Sequence, residues 1–367
     1  MLTVFITGAT GFLGGHIARL LCNRGYRVRA LVRPTSCYQP LQLLPIEFIQ
    51  GDLSNFSLIR EAMKGCDAVF HAAADYRLWT RRPSEMYTSN VEGTHNILQA
   101  AWEVGIGKTV YTSTVGTIGL NGNRTPANET SFLRFDPKTG HYKKSKFLAE
   151  QKAIDFARRG LPVVIVNPST PVGSHDWKPT PTGRIILDFL NGRMPMYLDT
   201  GLNLVDVEDV AEGHLLAFQK GRSGERYILG NENLSLKQIL DLLSEMTGLP
   251  APKIRCPYGV ALAAAWASEG ITWLMGGKEP RVPREGVYMA RKYMFFDSQK
   301  AIQELCFRPK TIPSALKKAI VWFSENGYVT RRSRHSPLST LASFKETSSF
   351  DSTSSASPNE SAMVASK

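Results

Sequence analysis

Tyr142 and Lys146 stand four residues apart in HYKKSK, inside a segment, Lys138 to Arg159, whose pattern predicts a helix. That spacing puts both side chains on one helix face. A free tyrosine has a pKa near 10 and is a poor base at neutral pH. A lysine ammonium beside it would favour the phenolate, and a tenfold gain in the ionised fraction takes about 1.4 kcal/mol of such stabilisation. Such a phenol can take or give the proton of a hydroxyl, which is general acid–base chemistry. Upstream, YTSTVGT (Tyr111 to Thr117) supplies hydroxyls at the end of a predicted strand. Thr114 lies just past that strand, where it could hydrogen-bond a reacting oxygen, with Ser113 as the alternative.

A second motif gives the pair something to serve. TGATGFLG, Thr7 to Gly14, follows the apolar run LTVFI and opens a helix-like segment. Gly8 permits a tight turn, Gly11 lets the backbone approach a pyrophosphate, and Gly14 lets the helix pack on a sheet. The helix N-terminus then offers free N–H groups and partial positive charge to phosphates. This is the arrangement of a dinucleotide site, so hydride transfer to or from a nicotinamide ring can be coupled to the phenol's proton. The predicted second strand, Tyr26 to Val32, runs into Arg33, Pro34, Thr35 and Ser36. An NAD site usually places Asp or Glu there for the 2′-hydroxyl. Arginine suits a 2′-phosphate by charge and fork geometry, so NADP(H) is favoured and NAD(H) is the alternative. Asp52 and Leu53, after the third strand, are placed to meet the adenine ring.

Elements of two periods must hold these groups. Strand patterns at Leu2–Thr7, Tyr26–Val32, Ile46–Gln50, Asp67–Ala72, Thr109–Ser113 and Leu161–Asn167 alternate with helix patterns at Phe12–Arg24, Asn55–Lys64, Pro83–Glu103 and Lys138–Arg159. That rhythm predicts an α/β protein with a doubly wound parallel sheet. After Asn167 four prolines (168, 171, 179 and 181) break it. A strand–helix pair returns at Asn203–Val207 and Val210–Gln219, and Arg226–Leu229 reads as an edge strand. The dinucleotide-binding domain is therefore expected in residues 1–170 plus about 203–232. A smaller, mostly helical substrate-binding lobe is expected in about 171–202 plus 233–328. Residues 331–367 hold 15 Ser or Thr and few large apolar side chains, and are expected to be a disordered tail.

Composition narrows the class further. The chain of 367 residues is 43% hydrophobic and 21% charged, as globular proteins are. Its net charge of +12 is scattered, without zinc-finger or RNA-binding signatures, so it reads as a basic surface and not as a nucleic-acid site. Five cysteines, none in a CxxC pair, read as reduced thiols of a cytoplasmic protein without structural disulfides or metal. No secretory signal opens the chain. The apolar stretch YGVALAAAWASEGITWLMGG, Tyr258 to Gly277, contains Glu269 and several glycines. It reads as a packed helix or helix pair in place of a membrane span, and it is compatible with a peripheral membrane contact.

TGATGFLG, Tyr142/Lys146, Thr114 and NVEGT (Asn90 to Thr94) together resemble an extended short-chain dehydrogenase/reductase of the NAD-dependent epimerase/dehydratase family, which includes dihydroflavonol 4-reductase. ALVRPTS, HAAADYRLW, GHYKKSKFLAE, VNPSTPVG, KPTPTGR, DTGLNLV and GERYILG look closer still to the hopanoid-associated sugar epimerase subgroup. The resemblance covers about residues 1–328. It implies that Tyr142 is the acid/base and Lys146 its partner, which also holds the nicotinamide ribose. It implies that Asn90 lies in the helix supporting the site. Thr10, Phe12 and Leu13 would complete the phosphate loop, and Ala72, Ala73 and Ala74 would line the cofactor. Asn167, Pro168 and Ser169 would form the strand end near the nicotinamide. Thr114 replaces the family's usual serine, which keeps the hydroxyl and adds a methyl. Pro171 to Thr200 would line the substrate pocket, with Tyr76, Arg77 and Arg184 as candidate contacts. The substrate would be a sugar, a nucleotide sugar or a ketone, and a homodimer is compatible with the family. The subgroup label favours a sugar epimerase narrowly, while Arg33 leans toward a one-way NADPH-dependent ketone reductase. A non-catalytic NADP sensor is a third reading, but such a protein has no need of the Tyr142/Lys146 pair.

Overall fold

A computed structural model describes residues 1–122, 124–135, 139–277 and 279–330. The Ser/Thr-rich segment 331–367, expected to be disordered, lies outside the described residues. The chain runs β1 (Thr3–Thr7), α1 (Phe12–Asn23), β2 (Arg27–Val32), β3 (Ile46–Gln50), α2 (Phe56–Met63), β4 (Ala68–His71), α3 (Pro83–Tyr87), α4 (Gly93–Glu103), β5 (Lys108–Thr112), α5 (His141–Arg158) and β6 (Val163–Pro168). It continues through β7 (Thr170–Val172), α6 (Pro181–Leu190), β8 (Met196–Tyr197), β9 (Gly201–Asp206), α7 (Val207–Lys220), β10 (Arg226–Leu229), β11 (Glu232–Ser235) and α8 (Leu236–Thr247). Then come β12 (Ile254–Arg255), α9 (Tyr258–Leu274), α10 (Arg284–Met289), β13 (Tyr293–Met294) and α11 (Ile312–Glu325).

Seven parallel strands form the main sheet in the order β10-β6-β5-β4-β1-β2-β3. Runs such as TVFIT in β1 and VVIVNP in β6 are buried along their whole length because helices cover both faces. On one face Ile17 and Leu21 of α1 and Val210 and Leu215 of α7 pack over Val4, Ile6 and Val164. On the other, Ile59 of α2, Ile97 of α4 and Ala153 of α5 pack over Phe5, Val69 and Ile165. Strand order reverses between β1 and β4, so the loops leaving these two strands diverge there. An open α/β sheet binds its ligand at such a switch point.

Two elements differ from the sequence expectation. The Asn203–Val207 strand does not return to the main sheet. The place beside β6 is taken by β10, so β9 instead pairs with β7, β11 and β13 in a second, mixed sheet. That sheet joins α6, α8 and α11 around Leu204, Leu240, Leu316 and Phe323. The long helix expected over Pro83–Glu103 is interrupted at Thr88–Glu92 by a π-turn. Such a turn inserts a residue into the helical ladder and re-aims its side chains. Asn90 sits within it and is buried.

Candidate active site

The loop after β1 brings the chain into α1 without a side-chain cap. Gly8 has φ +78°, and the Gly11 N–H closes the turn on the Gly8 carbonyl at 2.9 Å. A Cβ on Gly8 would lie 2.6 Å from the Ala73 nitrogen and 2.7 Å from the Ala72 carbonyl carbon. Gly14 lies so close to the Gly8 carbonyl that a Cβ there would overlap it. Gly11 caps α1 in extended conformation, with no side-chain cap and no acid in the first turn. The first N–H groups of the helix are left for an anion. Thr10, Phe12 and Leu13 follow Gly8 in the chain, Ala72 and Ala73 face Gly8 from the loop after β4, and Ala74 comes next in that loop. These residues fit a dinucleotide pyrophosphate: the cradle exists only because three side chains are missing from it.

Tyr142 lies in the first turn of α5, and burial pushes its phenol up to about 12, while a hydrogen bond from Thr114 pulls it back down. Thr114 caps the short turn after β5, its hydroxyl accepting from the Gly116 N–H at 3.1 Å. The phenol and the Thr114 hydroxyl therefore converge at the carboxyl edge of the sheet. Lys146 is anchored to the neighbouring strand. Its ammonium donates to the Tyr111 hydroxyl at 3.0 Å and to the Thr112 carbonyl at 2.9 Å. Burial lowers it to about 8. It is thus held on β5, one helical turn along α5 from Tyr142.

Tyr111 belongs to a buried network that sequence reasoning missed. Its hydroxyl hydrogen-bonds Thr94, whose own O–H donates to the Asn90 carbonyl at 2.6 Å. His71 joins Thr94 through Nε2 at 3.0 Å and Thr7 through Nδ1 at 2.6 Å. Thr7 accepts from the Ala73 N–H at 3.3 Å. Burial, and then the Lys146 charge, lower His71 to about 3, so its ring is neutral. One set of proton positions satisfies the chain. Thr7 donates to Nδ1, Nε2–H and the Tyr111 O–H donate to Thr94, and Lys146 donates to Tyr111. The residue before the glycine turn is thereby tied to the lysine. Tyr111→Phe is expected to remove one acceptor from the ammonium and lower the Lys146 pKa further. The basic limb of kcat/KM, expected near pH 8, should move down by about 1 on the pH scale. A pH–rate profile of the variant checks this.

The other expected residues fall into three groups. Asn90 holds the β4 loop to α5. Its amide donates to the Asp75 carbonyl at 2.9 Å and to Ser145 at 3.0 Å, and its oxygen accepts from the Asp75 N–H at 2.7 Å. It touches neither Tyr142 nor Lys146 by these bonds, so it positions the site. Asn167 is likewise committed to structure, donating to the Thr114 carbonyl, Thr117 and Glu150 at 2.8–3.1 Å. Ser113 and Ser169 lie at the ends of β5 and β6, and the Ser169 hydroxyl is buried without a partner among the described residues. Pro168 ends β6 between them. Asp52 closes its own turn by accepting from Ser54, while Leu53 packs under Gly93. Among the substrate candidates, Arg77 is ion-paired with Asp75 and Arg184 with Glu279 at 2.8 Å. Neither guanidinium is free. Tyr76 is partly exposed, and burial together with Asp176 raises its phenol. Sequence reasoning also missed Glu285 of α10, whose carboxyl lies where a Cβ on Gly140 would be, beside Tyr142's turn. Burial raises Glu285 to about 7. No group of His, Cys, Asp or Glu among the described residues could hold a metal.

Comparison with known proteins agrees with this geometry. The family model for the NAD dependent epimerase/dehydratase family matches residues 4–230. A dihydroflavonol 4-reductase-like protein of Synechocystis sp. is 49% identical over 89% of this chain and 95% of its own length. Sterol demethylase protein B of Methylococcus capsulatus is 33% identical over 89% and 100%. The solved structure of PA4631, a nucleoside-diphosphate-sugar epimerase from Pseudomonas aeruginosa, superposes with a TM-score of 0.73. It is 29% identical over 90% of this chain and 99% of that one. With its glycine cradle, its phenol at the sheet edge and these relatives, the chain belongs to the NAD-dependent epimerase/dehydratase family and is an enzyme of the extended short-chain dehydrogenase/reductase type.

Proposed function

We propose that the protein is an NADPH-dependent ketone reductase. The observation that carries this reading is Arg33. It stands exposed at the tip of β2, and its guanidinium pairs with no described residue. Arg29, two turns of the pleat earlier, is consumed by Glu47 at 2.9 Å and by the Ala62 and Lys64 carbonyls. No acid follows β2 to meet a 2′-hydroxyl: the sequence continues Pro34, Thr35, Ser36. A free guanidinium fits a 2′-phosphate, and NADPH in cells is held ready for reduction.

When bound, the cofactor supplies the hydride for the carbonyl carbon. Tyr142 gives its proton to the carbonyl oxygen as the C=O becomes CH–OH. A phenol held at about 12 is protonated across the physiological range, which suits an acid better than a base. Thr114 holds the oxygen beside that proton. Lys146 carries positive charge below pH 8 and has one N–H left over after Tyr111 and Thr112 for a ribose hydroxyl. The 49% identical relative is reductase-like, which supports the same direction.

Arg33→Ala is expected to raise KM for NADPH roughly tenfold or more, the loss of one charge-assisted phosphate contact, and to leave KM for NADH nearly unchanged. Steady-state kinetics with both cofactors on a panel of ketones tests the reading, and equal effects on the two would overturn it. A second reading, a sugar epimerase of the hopanoid-associated kind, is supported by the structural likeness to the Pseudomonas epimerase. An epimerase returns the hydride it takes. It would keep oxidised cofactor through purification and interconvert sugars without net NADPH consumption.

A further inference from the structure

Helix α9 buries only a narrow edge, Ala261, Ala265 and Glu269, and turns a wider apolar face outward. Surface helices of soluble proteins turn an apolar stripe inward and charge outward. Here the outward positions are Val260, Ala263, Ala264, Ala267, Gly270, Ile271 and Leu274, at helical spacing and without one polar side chain. Trp266, Trp273 and Met275 widen the patch, and Leu274 and Met275 are 78% and 80% exposed. The polar residues point inward. Glu269 is buried, accepting from the Arg284 backbone N–H at 2.7 Å and from its guanidinium. Ser268 accepts from the Val282 N–H at 3.1 Å, and Thr272 bonds back to the Ser268 carbonyl. Water is a poor neighbour for such a face.

The charges around it say what covers it. Arg81 donates to the carbonyls of Thr272 and Trp273 at 3.0 Å, which fixes a cation at the C-terminal end of the helix. Arg82 beside it is largely exposed and pairs with Glu85 at 3.3 Å, itself half exposed. Lys253 and Arg255 are exposed just before the N-terminal end, on either side of the exposed Ile254, with Arg255 paired to Asp199 at 2.7 Å. An uncharged apolar face with a cation lacking an acid partner among the described residues at each end, Arg81 at one and Lys253 at the other, matches an anionic lipid surface. Tryptophans at its margin suit the headgroup layer. A second copy of the chain fits less well. Any two-fold pairing across this face would set cationic ends against cationic ends, with no outward acid on α9 to offset them. No helix among the described residues is long and apolar enough to cross a membrane.

We propose that α9 docks the protein on the surface of an anionic phospholipid bilayer, lying in the interface along its 17 residues, about 25 Å. The docked helix borders the site, because α10, which binds Glu269 through Arg284, also places Glu285 against Gly140. The proposal rests on this surface and holds for either reading of the reaction.

Flotation of the full chain with vesicles tests it. The protein is expected to float with phosphatidylcholine vesicles containing phosphatidylglycerol and to float less with phosphatidylcholine alone. Raised salt should weaken the binding, and tryptophan emission should shift to the blue. Ile271→Glu with Leu274→Glu is expected to abolish flotation while NADPH binding and melting temperature stay as in the wild type, since both side chains point to solvent. Protein remaining at the bottom of the gradient with anionic vesicles overturns the proposal. So does equal flotation of the double variant. A wild-type dimer that the double variant converts to monomer, with neither floating, assigns the face to a second copy and also overturns it.

Discussion

Tyr142→Phe is expected to lower kcat/KM with NADPH by about 10²–10⁴ while leaving NADPH affinity within about twofold. The variant keeps the ring that fills the first turn of α5 and removes one oxygen. That oxygen is the proton donor of the reduction, and it is the atom that Thr114 meets. The phosphate cradle is built from the loop after β1 and the loop after β4, on other elements, so binding should survive. Stability should fall by no more than about 1 kcal/mol, the worth of one hydrogen bond. Fluorescence titration with NADPH and single-turnover reduction separate the two effects. Loss of binding together with turnover would mean that the phenol holds the cofactor and does not act on the substrate. Unchanged turnover would remove Tyr142 from the chemistry and return the protein to the sensor reading.

The two halves of the site differ in how far the sequence reveals them. The glycine turn is local: Thr7 to Gly14 carries its own geometry, and the strand before it and the helix after it follow from periodicity. The same holds for Tyr142 and Lys146, which share a helix. What the lysine touches is not local. Its partner Tyr111 comes from β5, 35 residues away, and reaches it because side chains alternate along a strand. That alternation was a usable signal. Tyr111 and Ser113 share one face of β5, while Thr112 points to the other and bonds His214 at 2.9 Å. Arg77 and Arg184 stand in the sequence as candidate substrate contacts. Asp75 could have been seen as a partner for Arg77 two residues on, but Glu279 lies 95 residues from Arg184 and only the fold brings it near. The strand at Gly201–Asp206 fits a central strand of either sheet, because its pattern is buried throughout. Competition with β10 for the place next to β6 decides which, and no stretch of sequence states that competition. Helix α9 is a milder case. Its apolar run reads as a packed helix, and the structure packs only one narrow edge of it, through Ala261, Ala265 and Glu269.

Gly8→Ala and Gly11→Ala are expected to fail in different ways, and the difference tests the cradle. At Gly8 the backbone is left-handed, which costs a non-glycine residue about 1 kcal/mol. The new methyl would also sit 2.6 Å and 2.7 Å from backbone atoms of Ala73 and Ala72. Those atoms cannot yield, because the Ala72 N–H bonds the Thr7 carbonyl at 3.2 Å and the Ala73 N–H bonds the Thr7 hydroxyl. Overpacking of this kind adds roughly 1–3 kcal/mol. The variant should melt well below the wild type, and NADPH affinity should fall at least 100-fold as β1 and β4 part at the switch point. At Gly11 the backbone is ordinary, with φ −87°, and a Cβ would come no nearer than 3.2 Å to the Gly8 carbonyl. Its melting temperature should stay close to that of the wild type. The methyl would project instead from the exposed rim of the loop, over the free N–H groups of α1, into the space a pyrophosphate would need. NADPH affinity should therefore fall tenfold or more with the fold intact. Thermal melts and cofactor titrations on the two variants give four numbers. If Gly11→Ala bound NADPH as tightly as the wild type, the opening over α1 would not be the phosphate site, however well the turn beneath it is made.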